Sequence, residues 1–141
     1  HFGAVGERDR GRPEALVAHN VFGSNHRGGL FFFRSGCKGC VVKNNIFYDD
    51  PAVDFDQMGD AKQAPSGNVF DHNCLVPGVR LGKMSPQDTV GSKNVQVNPM
   101  VIDARSFDFR LGRRSPCLNA GGDVGLEFQG KAPDIGLSES R

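Results

Sequence analysis

The stretch VVKNNIF at residues 41–47 decides the fold, because it sets asparagines between two short apolar runs. The same pattern occurs at three other places, namely LVAHNVF at 16–22, VFDHNCL at 69–75 and VQVNPMV at 95–101. The asparagines that these repeats share are Asn20, Asn45, Asn73 and Asn98, which stand 25, 28 and 25 residues apart. A repeat of this length is one supersecondary unit that buries its apolar face only by stacking on its neighbours. Each unit is strand-like, so the repeats predict a parallel β-solenoid with a ladder of stacked asparagine amides.

The composition favours strands and turns over helices. The 141 residues are enough for one domain with a core, and the 19 glycines and 8 prolines are typical of a turn-rich chain. The net charge of +1, from 17 basic and 16 acidic residues, argues against a nucleic-acid partner, which usually needs a basic stripe. No apolar run approaches the length of a membrane-spanning helix. Motifs for a serine hydrolase elbow, a phosphate loop and a dinucleotide fingerprint are absent, which removes those enzyme classes.

A second family of strands lies between the asparagine turns, at 28–35, 52–58 and 78–84. Alternation along a strand sorts its side chains by face. The positions expected to point inward are Leu30, Phe32, Val53, Phe55, Val79 and Leu81. The positions expected to point outward are Phe31, Phe33, Asp54, Asp56, Arg80 and Gly82. This outward set is chemically rich, so we expect it to carry the function.

The end of the chain resembles a known family. The run DFRLGRRSPCLNAG at 108–121, followed by DIG at 134–136, is similar to the terminal segment of many secreted bacterial right-handed parallel β-helix proteins of the pectate-lyase-like superfamily. The NNIF-type turns belong to the same pattern. The resemblance implies a right-handed parallel β-helix of roughly four to five coils, and a secreted, extracellular or periplasmic location. Such proteins include polysaccharide lyases, glycoside hydrolases and non-catalytic surface modules, so the fold alone does not assign the chemistry.

We expect one all-β domain over 1–141, with an irregular lead-in at 1–14, repeat coils at 15–104 and a loop-rich closing segment at 105–141. The chain starts at His1 rather than Met, as expected of a processed chain or of the downstream part of a longer carbohydrate-active protein. An uncapped first coil would expose strand edges, which favours self-association at that end.

Asp54 and Asp56 are the leading candidates for catalysis. Two residues apart on one strand, their Cα atoms lie roughly 6.5 to 7 Å apart and their carboxylates face the same way. An inverting glycosidase separates its two carboxyl groups by about 6.5 to 9.5 Å. Arg80 is expected beside Asp54 on the next coil, where the alternative is an inert surface ion pair. A uronate lyase would instead use Arg80 and Lys83, to neutralise the substrate carboxylate and to take the adjacent proton.

Phe31 and Phe33 are candidate substrate contacts, since exposed aromatic rings stack on sugars, although a loop or partner chain would cover them equally well. His72 precedes a ladder asparagine and, like His19, is expected to face solvent at a turn; it is a third candidate contact. The predicted function is therefore cleavage of an extracellular polysaccharide, by hydrolysis or by β-elimination. The alternative is a non-catalytic carbohydrate-binding or surface-interaction module, or an inactive fragment of a larger enzyme.

Metal and disulfide signals in the sequence are weak. The run DFDQMGD suggests a Ca²⁺ site at Asp54, Asp56 and Asp60, but it is no EF-hand, because Pro65 stands where that loop places a bidentate glutamate. No other cofactor is predicted. Four cysteines, at 37, 40, 74 and 117, allow two disulfides in an oxidising compartment. The CxxC pair lacks the second pair that a zinc site needs.

Overall fold

A computed structural model describes residues 15–23, 30–33, 39–48, 52–57, 67–81 and 87–137 of the chain. Within 30–33 and 52–57 it describes the backbone alone. Apart from one 3-10 helix at Ala104–Ser106, the regular structure of these residues is β-strand, which confirms the predicted all-β class. No helix in these ranges is long and apolar enough to cross a membrane. The expected lead-in at 1–14, and with it the expected self-association there, lies outside the described residues.

The strands are short, which suits a chain with turn residues at close intervals. Their bounds are β1 Leu16–Ala18, β2 Val21–Gly23, β3 Leu30–Phe33, β4 Val41–Lys43, β5 Ile46–Tyr48, β6 Ala52–Gln57, β7 Val69–Asp71, β8 Cys74–Leu75, β9 Arg80–Leu81, β10 Thr89–Val90, β11 Val101–Asp103 and β12 Asp108–Leu111.

Strands β1 to β10 form three parallel sheets that the chain visits in turn. The first sheet has the order β1-β4-β7-β10, the second β2-β5-β8 and the third β3-β6-β9. Each of the strands β1 to β7 therefore pairs with the strand three places further along the chain rather than with its sequence neighbour. Val42, for example, is in register with Val17 on one side and with Phe70 on the other. The predicted parallel stacking of the repeats is confirmed.

The core consists of apolar side chains that repeat from one strand to the next. Phe22 and Phe47 occupy paired positions on β2 and β5, and their rings stack with centroids 4.9 Å apart and an interplanar angle of 6°. The ring of Phe70, on β7 of the first sheet, lies 5.7 Å from Phe47 across the core. Phe47 and Phe70 are fully buried, together with Val42. Stacked aromatic pairs add about 0.5 to 1.5 kcal/mol beyond the burial of their area.

The expected fourth repeat at 95–101 is wrong. Strand β11 pairs with β12, and the pair is antiparallel, with Val101 opposite Leu111. The 3-10 helix and Phe107 connect the two strands; Phe107 has a positive φ of 57° and is 80% exposed. Among the described residues, the parallel pairing continues past β10 only to an isolated bridge of Val95 with Cys74, so the repeating architecture ends before this hairpin.

The C-terminal segment, residues 112–137, runs without helix or strand and packs back onto the turns of the parallel sheets. Its backbone is fixed by Gly121 N–H donating to Pro133 O at 2.7 Å and by Gly136 N–H donating to Asn44 O at 2.9 Å. Residue 121 must be glycine, because a Cβ atom there would lie 2.8 Å from Pro133 O and 2.9 Å from Asn44 Oδ1. The segment therefore sits against one corner of the sheets.

Candidate functional site

The asparagine ladder holds the parallel strands in register. The Oδ1 atom of Asn45 accepts two hydrogen bonds from Asn20, from the backbone N–H at 3.0 Å and from Nδ2 at 3.1 Å. Asn73 Oδ1 accepts the same two bonds from Asn45, both at 3.0 Å. Asn45 and Asn73 are fully buried. A carboxylate would supply the acceptor but not the donor, so a buried interior position of the ladder requires an amide.

The fourth ladder asparagine is Asn94, and the prediction of Asn98 is wrong. Asn94 Oδ1 accepts from Asn73 N–H at 3.0 Å and from Asn73 Nδ2 at 3.2 Å. Asn98 Oδ1 instead accepts from Met100 N–H at 2.8 Å, in an exposed local turn. The residue after each later ladder asparagine donates its N–H to the carbonyl of the preceding one, as Val95 N–H does to Asn73 O at 2.8 Å. Pro99 has no N–H and excludes Asn98 from this role.

A second, smaller ladder lies at another turn. Asn68 Oδ1 accepts from Cys40 N–H, and Asp88 Oδ1 accepts from Asn68 N–H, both at 2.9 Å. Asn68 is fully buried and its Nδ2 has no hydrogen-bond partner. Side-chain oxygens therefore hold the parallel strands in register at two different turns.

That third sheet, β3-β6-β9, carries most of the predicted site residues. Leu30 is in register with Val53, and Val53 with Leu81, so the expected inward column is aligned. Phe31 is in register with Asp54, one position along the same two strands. Val79 is buried and Leu81 packs on the core, whereas Arg80 between them is exposed. The predicted alternation is confirmed in this strand.

One detail of the expected register is wrong. Arg80 lies opposite Ala52 and not beside Asp54. A displacement of two residues keeps Arg80 on the same face, because side chains alternate with a period of two. Phe33 is in register with Gln57, since the pairing of β3 with β6 shifts by one residue after Phe31. The side chains of β3 and β6 and the whole of Lys83 lie outside the described parts of the structure.

The histidines at the turns do not face solvent as expected. Both have positive φ, 56° at His19 and 51° at His72, and so does Asn44 at the equivalent position, with 59°. His19 Nδ1 donates to Gly136 O at 3.1 Å, so the C-terminal segment covers it. His72 Nδ1 lies 3.0 Å from Asp71 Oδ2, at ion-pair distance but without an aligned hydrogen bond. Gly122 packs on the His72 ring, since a Cβ there would lie 3.0 Å from Nδ1.

Asn44 joins the C-terminal segment to the sheets. Its Nδ2 donates to Gly122 O at 2.7 Å, and its Oδ1 accepts from Gly122 N–H at 2.8 Å. This two-point contact fixes the orientation of the amide. Because Nδ2 also lies 3.2 Å from His19 Nε2, that ring nitrogen must be the acceptor and Nδ1 must carry the proton. These two bonds fix the orientation of the His19 ring beneath the segment.

No group of three or more histidine, cysteine or acidic residues that could hold a metal occurs among the described residues. The suggested Ca²⁺ site falls on side chains of β6 and on Asp60, which lie outside them. At the surface, Arg110 donates to Asp108 from Nε at 2.8 Å and from a terminal nitrogen at 2.6 Å. This hydrogen bonding holds the pKa of Asp108 below its usual value.

Comparison with protein-family models, with curated proteins and with solved structures found no match for this chain. A functional assignment therefore depends on the sheet register and on the surfaces that the chain itself presents.

The sequence patterns did not predict three features of the structure. Cys40, Asn68 and Asp88 each precede a strand of the first sheet, but they are three different residue types, so no constant residue marks their ladder in the sequence. The exposed tip of the hairpin, with Ile102 57% and Phe107 80% exposed, lies in a stretch that was assigned to a repeat coil and to its closure. The contact between Cys74 and Cys117 joins residues 43 positions apart, and no spacing rule predicts it.

Proposed function

We propose that the three parallel sheets are the faces of a right-handed parallel β-helix, and that the protein binds and cleaves an extracellular polysaccharide along the outer face of β3-β6-β9. The cyclic order of the sheets supports the β-helix, because a chain that returns to the same three sheets in parallel register has this topology. The resemblance of the terminal motifs to secreted β-helix proteins supports the substrate class and the secreted location.

The observation that carries the proposal is the register of Phe31 with Asp54. Adjacent parallel strands are about 4.8 Å apart, so an aromatic position lies directly beside a carboxylate position. A sugar ring stacked on the aromatic side chain would reach the carboxylate of the neighbouring strand. In this arrangement Asp54 and Asp56 act as the general acid and base of an inverting hydrolysis, separated along their own strand by roughly 6.5 to 7 Å.

The register of Arg80 favours the hydrolytic version over an inert ion pair. Arg80 lies opposite Ala52, so it is displaced by two residues from the position across from Asp54. Arg80 is exposed and on the same face, where it would contact a substrate carboxylate or hydroxyl group. Elimination of a uronate polymer, with Arg80 neutralising the carboxylate and Lys83 taking the proton, is the neighbouring proposal. His72, 23% exposed beside Asp71, remains a proposed contact.

The test uses Asp54→Asn and Asp56→Asn against a panel of neutral and uronate-containing polysaccharides. Hydrolysis is followed by new reducing ends, and elimination by the ultraviolet absorbance of the unsaturated product. We expect at least a 100-fold loss of turnover in either variant, since general acid–base groups contribute roughly 10²- to 10⁴-fold. Asp123→Asn, an exposed aspartate of the C-terminal segment, is the matched control and should leave turnover unchanged.

Unchanged turnover in both active-face variants would end the hydrolytic proposal. A loss in Arg80→Ala and Lys83→Ala with no loss in the aspartate variants would assign elimination instead. Binding without turnover in the wild type, weakened by Phe31→Ala, would identify a non-catalytic carbohydrate-binding module. Each result follows from a different group of side chains, so the three functions are distinguishable.

A further inference from the structure

Two buried cysteines connect the C-terminal segment to the parallel sheets. Cys74 begins β8, and Cys117 lies in the segment. Both are fully buried and both carry free thiols. They belong to one apolar cluster, in which Ile46 and Ile135 are the other fully buried members. The pair is thus placed where the segment and the sheets share a core.

The two cysteines pack in one buried cluster and their backbones are fixed. The side chains of Cys74 and Cys117 lie close enough to interact within this cluster. Cys74 N–H donates to Asn45 O at 2.8 Å, and its Sγ donates to Val97 O at 3.4 Å. Cys117 N–H donates to Ser115 Oγ at 3.1 Å, and Cys117 O accepts from Ile135 N–H at 2.9 Å. Hydrogen bonds on both sides therefore fix the positions of the two residues in the cluster.

The environment distinguishes the two sulfur atoms. In the docked state, hydrogen bonding between the two side chains lowers the pKa of Cys117 and, together with burial, raises the pKa of Cys74. The thiolate is the nucleophile in disulfide exchange, so either cysteine can attack while the C-terminal segment is undocked. Cys40, the other cysteine in the described residues, is already disulfide-bonded, which leaves Cys74 and Cys117 to each other.

We propose that Cys74 and Cys117 are a disulfide-forming pair that fastens the C-terminal segment covalently to the parallel sheets. This proposal does not depend on the polysaccharide activity. The oxidant is a low-molecular-weight disulfide such as oxidised glutathione. The thiolate of one cysteine attacks it, which forms a mixed disulfide and releases one thiolate of the reagent. The sulfur of the other cysteine then loses its proton and displaces the second thiolate, so two protein thiols become one disulfide and the reagent becomes two thiols.

The burial of Cys74 and Cys117 determines when they can react with the oxidant, and their positions determine what the disulfide changes. Because both sulfur atoms are fully buried, the exchange takes place during folding or in openings of the C-terminal segment, before the segment docks. Without the bond, backbone contacts and the amide of Asn44 hold the segment at this corner. With the bond, a loop of about 40 residues is closed, which restricts the unfolded chain.

The test refolds the full chain with reduced or with oxidised glutathione, blocks free thiols with iodoacetamide after denaturation and maps the peptides without reduction. We expect a cross-linked peptide pair containing Cys74 and Cys117 in the oxidised sample, lighter by two hydrogen atoms than the two separate thiol peptides. The melting temperature should rise by roughly 5 to 15 °C relative to the reduced protein. Cys117→Ala controls for the Cys40 disulfide, and its response to oxidant should lack this rise.

Alkylation of both Cys74 and Cys117 in the oxidised sample would overturn the proposal. So would the same rise in melting temperature in wild type and Cys117→Ala, because it would assign the effect to Cys40. If Cys117→Ala fails to fold, the peptide map of the wild type decides the question alone.

Discussion

The asparagine corner, which is the ladder of Asn20, Asn45, Asn73 and Asn94, and the β11–β12 hairpin are stabilised by the same kind of hydrogen bond. The two regions differ in how far apart the bonded residues are in the sequence. In both regions a side-chain oxygen of Asn or Asp accepts a hydrogen bond from a backbone N–H. In the hairpin the donor lies two residues ahead, as in the bond from Arg105 N–H to Asp103 Oδ1 at 3.1 Å. At the corner the partners are 21 to 28 residues apart, as in the bond from Asn45 to Asn73.

The difference in burial decides what these bonds contribute. Asn45 and Asn73 are fully buried, so a lost bond leaves a polar group without water. Such a group costs about 1 to 3 kcal/mol, whereas water replaces an exposed bond at little cost. The corner therefore specifies register and stability, and the hairpin tolerates change. This contrast predicts how variants of the two regions will rank.

The largest effect is expected for Asn73→Ala. The substitution removes the acceptor of two bonds from Asn45 and the donor to Val42 O and Asp71 O, all within the corner. We expect the free energy of unfolding to fall by about 3 to 5 kcal/mol, because several buried groups lose their partners at once. Equilibrium unfolding in urea measures this change.

Asn98→Ala is the matched control for Asn73→Ala. It removes one exposed bond to Met100 N–H, and we expect a loss of about 0.5 kcal/mol. Equal losses in the two variants would contradict the distinction between corner and hairpin.

An intermediate effect of opposite sign is expected for Phe107→Asn. Phe107 adopts a left-handed conformation, with φ 57°, after the 3-10 helix, and its side chain is 80% exposed. Asparagine tolerates this conformation better than a bulky aromatic residue, and little packing is lost. We expect the free energy of unfolding to rise by about 0.5 to 1 kcal/mol in the same urea experiment. A destabilised variant would show that Phe107 is held by contacts that its exposure does not suggest.

The smallest effect is expected for Asp108→Asn. The hydrogen bond from Arg110 lowers the pKa of Asp108 in the folded state, so the pair stabilises the protein above the unfolded pKa of the carboxyl group. That contribution is lost as the pH falls through the folded pKa. Because the pair is at the surface, we expect a change near the limit of detection at neutral pH. In Asp108→Asn, the free energy of unfolding should depend slightly less on pH in the acidic range than in the wild type. An unchanged pH dependence would contradict this prediction.

Periodicity predicted the fold well at positions where both the residue itself and its apolar neighbours are required by the structure. At Asn45 and Asn73, both the flanking apolar runs and the amide itself are required, and these positions are confirmed. Asn98 satisfied the spacing but failed the backbone requirement, and the proline after it carries that information. The hydrogen-bonding needs of the neighbours are therefore a stronger criterion than spacing.

For the pairing of β6 with β9 in the third sheet, the sequence predicted the register to within two residues, which is one period of the side-chain alternation. Both Val79 and Leu81 are apolar, so pattern alone places Arg80 on the correct face but not at the correct position along it. The cover over His19 and the contact of Cys74 with Cys117 depend on how residues 112–137 return to the sheets. A return path of this length is a tertiary property that local patterns do not encode.

The most direct test of the ladder is amide hydrogen exchange at Asn73, followed by NMR in two variants. The N–H of Asn73 donates to Asn94 Oδ1 at 3.0 Å, and this bond is what assigns Asn94 to the ladder. Asn94→Ala should therefore make exchange at Asn73 faster by at least about tenfold, whereas Asn98→Ala should leave it unchanged. Faster exchange at Asn73 in Asn98→Ala, with no change in Asn94→Ala, would contradict the register on which the site is built.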